Sequence, residues 1–145
     1  MRRDQVRLCW PCLDDQESAD AARIILSIQI VALTALGLAY FIRPEEMASF
    51  SGALLMGSAA VTEVRAYYGG LQLGLAAYLA MALLRLDLLR PALLLLVLLY
   101  SVLALARFAG LWLDGGAQQT FNLYALLLEV LSAALAWWAL RGVSH

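Results

Sequence analysis

The chain comprises 145 residues, of which 63% are apolar and 14% charged, with a mean hydropathy of +0.79 and a net charge of −1. Soluble domains carry about 45–50% apolar and about 25% charged residues, so a water-soluble globule, which would have to put Leu-rich segments on its surface, is excluded. All ten basic residues are arginines with no basic patch, which excludes nucleic acid as a partner and leaves the lipid bilayer as the expected one.

Residues 1–22 form a polar segment expected to be a flexible cytoplasmic tail. Within it, Cys9-Trp10-Pro11-Cys12 has the Cys-x-x-Cys spacing of redox pairs and half metal sites. No strand precedes it and no βαβ unit follows, so a thioredoxin-like context is missing. Cys9 and Cys12 are the candidate ligands for a metal, with His145 at the other end giving at most three ligands in one chain. That donor set does not complete a structural zinc site, and no metal or cofactor is expected.

Residues 23–141 read as a four-span membrane domain, followed by a short tail at 142–145. A hydrocarbon core of about 30 Å needs about 20 helical residues, and runs of that kind lie at 24–42, 64–84, 91–111 and 120–140. Apolar residues surround each run instead of striping one face, which predicts spanning helices. None alternates as a barrel strand would. The fold class is therefore all-α, an integral membrane four-helix bundle.

Pro44 follows the first span, and residues 44–50 suit a short interfacial helix. Arg85 to Arg90 link the second and third spans so tightly that these two must be antiparallel neighbours. Asp114-Gly115-Gly116 ends the third span. Arg2, Arg3, Arg7, Arg23, Arg85, Arg90 and Arg141 fall on one side and Arg43 alone in the loops of the other. Both termini are thus expected in the cytoplasm.

The second span opens Thr62-Glu63-Val64-Arg65-Ala66-Tyr67-Tyr68-Gly69-Gly70, the third closes Ala106-Arg107-Phe108-Ala109-Gly110-Leu111-Trp112-Leu113-Asp114, and Glu129 lies midway along the fourth. Together these resemble a family of small four-span bacterial membrane proteins, domain of unknown function 4345, over roughly residues 23–140. The Glu-x-Arg-Ala-x-Tyr-Gly-Gly stretch is the most specific part. The resemblance implies a four-helix membrane architecture and brings no activity or catalytic residues; the membrane is expected to be the bacterial inner one.

An ionisable group at mid-helix costs about 2.5–3.5 kcal/mol on insertion scales, so such groups face the bundle interior and pair. Depth along the helices places Arg107 between Glu63 above and Glu129 below, each about 7–8 Å away along the membrane normal. Asp114 and Tyr100 share a face with Arg107, Tyr67 lies on the face of Glu63, and Asn122 and Ser132 lie on that of Glu129. The expected polar cluster is Glu63, Arg65, Tyr67, Arg107, Asp114, Asn122 and Glu129. It holds neither a nucleophile–base pair nor a metal set, so no catalytic residue is assigned. Ala66, Gly70 and Gly74 recur every four residues, the spacing that lets two membrane helices approach closely, within one chain or between two copies. Gln29 and Gln72 are expected to hydrogen-bond between helices.

Three classes of function fit these features. A non-enzymatic accessory protein docking other membrane proteins leads. Binding or translocation of a small solute or proton through the polar cluster comes second, and a membrane enzyme acting on quinone or lipid third.

Overall fold

The computed structural model describes residues 10–114 and 120–143, with side chains from residue 19 onward. Helix α1 runs Trp10–Ile42, α2 Pro44–Phe50, α3 Ser58–Leu84, α4 Leu89–Asp114 and α5 Thr120–Gly142. There is no strand among the described residues. Four helices, α1 and α3 to α5, are long and apolar enough to cross a membrane, and the chain is an all-α membrane bundle.

Residues 10–22, expected as flexible tail, instead continue α1. Pro11 stands in the first turn, where its missing N–H is no loss, and no breaker follows before the apolar run. The 33 residues of α1 reach about 50 Å against about 30 Å of hydrocarbon, so its leading turns extend past the lipid core. Cys9 and His145 lie outside the described residues, as does the side chain of Cys12, so the proposed ligand trio is not placed.

Pro44 opens α2, and the chain then turns through Gly52 and Gly57, both at positive φ (79° and 139°), a region where a Cβ is strained. α3 departs from the predicted regular helix: Arg65–Gly70 forms a π turn. A π turn inserts one extra residue, and each residue is worth about 100° of rotation. Residues before the turn are therefore rotated relative to those after it. A single extended residue, Arg85, and a 3-10 turn at Leu86–Leu88 connect α3 to α4, with Pro91 in the first turn of α4.

The core sits at one end. Ala22 and Leu26 of α1, Leu79 and Ala82 of α3, Ala92, Leu93 and Leu96 of α4, and Ala136 of α5 are essentially fully buried there. Taken over their whole lengths, the helices associate chiefly as two pairs, α1 with α3 and α4 with α5. The close sequence neighbours α3 and α4 are thus packed less closely than their short link predicts. The link only brings their ends together; side-chain shape decides the rest.

The α1–α3 approach is made by Gly37 and Gly69. A Cβ at Gly69 would stand 3.1 Å from the backbone N and Cβ of Phe41, and one at Gly37 3.1 Å from the carbonyl O of Gly69. Ala66, Gly70 and Gly74, the small-residue stripe read as a packing face, are exposed in this chain, and a Cβ at Gly74 would meet nothing within 4 Å. The second span carries small residues on two faces. Of these, Gly69, Ala76 and Ala82 are the buried ones.

Candidate functional site

α4 and α5 bring Arg107 and Glu129 face to face. Arg107 Nε donates to both carboxylate oxygens of Glu129 at 3.1 Å, and Nη2 donates to Oε1 at 2.8 Å. Nη1 donates to Asn122 Oδ1 at 2.7 Å. The side chain of Glu129 is 10% exposed and that of Arg107 27%. This fork-to-carboxylate geometry is the strong form of a charge-assisted hydrogen bond. Seven residues, two helical turns, separate Asn122 from Glu129, so both lie on one face of α5 and a single guanidinium spans them.

Below this pair the polarity continues one layer into the bundle. Tyr100, two turns before Arg107 on α4, donates its hydroxyl to Gln29 Oε1 of α1 at 2.5 Å, and Gln29 Nε2 donates to Ser132 Oγ of α5 at 3.2 Å. The amide thereby ties α1 to both α4 and α5. Beyond it come the apolar layers of Leu26, Leu79, Leu93 and Leu96. Among the described residues this hydrogen-bonded layer lies at the middle of the bundle.

A cleft of about 340 Å³ opens between α4 and α5 beside the ion pair, lined by Leu103, Ala106, Arg107, Gly110, Leu111, Asp114 and Asn122. Asp114 is exposed at its rim, and its Oδ2 lies 3.7 Å from where a Cβ on Gly110 would stand. The carboxylate thus folds back along α4 over the space left by that glycine.

Of the expected cluster, Arg107, Asn122 and Glu129 are joined by hydrogen bonds, and Asp114 lines the same cleft. Glu63, Arg65 and Tyr67 stand apart, exposed on α3. Arg65 lines a separate cleft with Arg43, Glu45 and Glu46, where Arg43 pairs with Glu46 at 3.1 Å. Glu63 does not reach Arg107, because the face of α3 carrying it is turned outward. Gln72 Oε1 is buried and accepts no hydrogen bond among the described residues. Tyr40 was not singled out in the sequence, yet its ring stacks on Tyr68 at 5.2 Å and lies within electrostatic range of Arg107. A tyrosine near a span end gives no signal that separates such a role from an ordinary interfacial aromatic. At the other end Arg141 sits 4.9 Å over the Trp137 ring, an interfacial cation–π contact.

Among the described residues no three His, Cys, Asp or Glu side chains converge as a metal site would. The arrangement can hold a charge pair in lipid, link helices, and present polar atoms to a cleft. No curated protein and no solved structure matches this chain significantly. Residues 21–140 match the sequence family described as Domain of unknown function (DUF4345), and the chain belongs to that family.

Proposed function

We propose that the protein is a non-enzymatic accessory component of a bacterial inner membrane, docking other membrane proteins, with both termini in the cytoplasm. The orientation follows from the arginines at 2, 3, 7, 23, 85, 90 and 141, since positively charged flanks stay inside. The observation that carries the reading is the engagement of the buried carboxylate of Glu129 by Arg107. Both oxygens of Glu129 accept from Arg107, and Asn122 holds a third nitrogen of the same guanidinium. A carboxylate so engaged is a structural partner, not a free base. Beyond the pair, Leu26, Leu79, Leu93 and Leu96 are fully buried, which disfavours a polar route toward the cytoplasmic end. Catalysis finds no support in a site without a nucleophile–base pair.

The cleft between α4 and α5 favours one second reading, binding or translocation of a small solute or proton at Arg107, Asp114 and Glu129. Proteoliposomes separate the two. Proton and solute flux equal to that of protein-free vesicles, together with a stoichiometric partner cross-linked in native membranes, is the expected result. Flux that Glu129→Gln abolishes would replace the accessory reading with the second.

A further inference from the structure

The guanidinium of Arg107 has five N–H groups. Glu129 takes the one on Nε and one on Nη2, and Asn122 takes one on Nη1. One N–H on each terminal nitrogen remains, and Arg107 is a wall of the α4–α5 cleft. The rest of that wall divides by chemistry. Leu103, Ala106 and Leu111 are apolar, and Asp114, at the rim, is exposed and outside any ion pair among the described residues. The site thus offers residual donors deeper in, an anionic acceptor at the mouth, and a hydrocarbon surface along its length.

Depth fixes where such a site lies in a bilayer. α5 has 23 residues, about 34 Å of helix against about 30 Å of hydrocarbon, so its first residues stand near the headgroup boundary. Asn122 is two residues from the start of α5 and Glu129 nine, about 3 and about 14 Å in. A guanidinium that touches both is placed just under that boundary, within reach of the phosphate and ester oxygens of a lipid. The backbone of Asp114 lies about 10 Å further out along α4 than that of Arg107, and its carboxylate, folded back toward Gly110, stands between that level and the guanidinium.

We propose that the α4–α5 cleft is a binding site for a phospholipid with a primary-amine headgroup. Its phosphate or ester oxygens accept from the remaining N–H groups of Arg107, its ammonium donates to Asp114, and its acyl chain lies over Leu103 and Leu111. The order of charges selects this class. A lipid with an anionic headgroup meets the Asp114 carboxylate, and a trimethylammonium headgroup has no N–H to donate to it.

Native mass spectrometry of the full chain in mild detergent, with equal mole fractions of phosphatidylethanolamine, phosphatidylglycerol and phosphatidylcholine, tests the site. Phosphatidylethanolamine should be retained above the other two. Asp114→Asn should lower that preference about two- to five-fold, the range for a partly exposed ion pair, whereas Asp87→Asn, remote from the cleft, should leave it unchanged. Gly110→Leu, which fills the cleft whatever the charge, should reduce retention of all three. A large excess of water-soluble phosphoethanolamine should displace none of the bound lipid. Equal retention of the three lipids by the wild-type protein, an unaltered preference in Asp114→Asn, undiminished binding in Gly110→Leu, or displacement by the soluble headgroup would each overturn the proposal. None of these readouts depends on a protein partner, so the accessory reading stands or falls separately.

Discussion

Replacing Glu129 by alanine would leave Arg107 with Asn122 as its remaining strong partner inside the bundle. Breaking a buried ion pair from one side costs about 3–5 kcal/mol, because the surviving charge stays desolvated. The side chain of Arg107 is 27% exposed, so relief by partial hydration puts the expected loss at the lower end, about 3 kcal/mol. Glu129→Gln keeps one acceptor oxygen and forfeits the charge, which is worth about 1.5–3 kcal/mol for hydrogen bonds to a charged group. Removing both charges in Arg107→Gln/Glu129→Gln should cost less than the sum of the two single changes, with a coupling of about 1–3 kcal/mol in the double-mutant cycle. The measurement is reversible unfolding in mixed micelles titrated with sodium dodecyl sulfate and followed by tryptophan fluorescence. A Glu129→Ala protein within about 0.5 kcal/mol of wild type, the range of ordinary surface substitutions, would refute the assignment of the pair as an interior clamp between α4 and α5. So would a coupling of zero.

Gly69→Ala should destabilise the bundle by about 1–3 kcal/mol, as overpacking does, since its Cβ would press on the backbone of Phe41 at 3.1 Å. Gly74→Ala has open space and should be neutral or stabilising by up to about 1 kcal/mol through helix propensity. The reverse ranking in the same unfolding titration would mean that the Gly70/Gly74 face is the packed one. Tyr100→Phe should cost about 1–3 kcal/mol, because Gln29 Oε1 loses its donor in the bundle interior. Gln29→Leu/Tyr100→Phe, which removes both polar groups, should be closer to wild type than Tyr100→Phe alone; a less stable double variant would argue against the hydrogen bond.

How much of this was legible in the residues varies by element. That Arg107 pairs with a carboxylate follows from depth, since opposite charges at neighbouring levels of a low-dielectric slab have few other places to go; that the carboxylate is Glu129 and not Glu63 is decided by the structure. Asn122 on the face of Glu129, and Tyr100 on that of Arg107, follow from helical spacing. Glu63 and Arg65 were expected in the same cluster because depth places them near Arg107 as well. Depth does not specify azimuth, however, and the second span turns these side chains outward. The same span exposes Ala66, Gly70 and Gly74 and buries Gly69.

The sequence by itself determined the solvent, the all-α class and the segments that cross, because hydrocarbon thickness and backbone hydrogen bonding admit few solutions for Leu-rich runs of about 20 residues. Only the tertiary structure decided which face of each helix looks inward. In lipid, apolar residues are equally content on either side, so no hydrophobic stripe marks the interface and close packing settles it. Glycine against Phe41, Gln29 between Tyr100 and Ser132, and Arg107 in the fork of Glu129 are the contacts through which that choice was made.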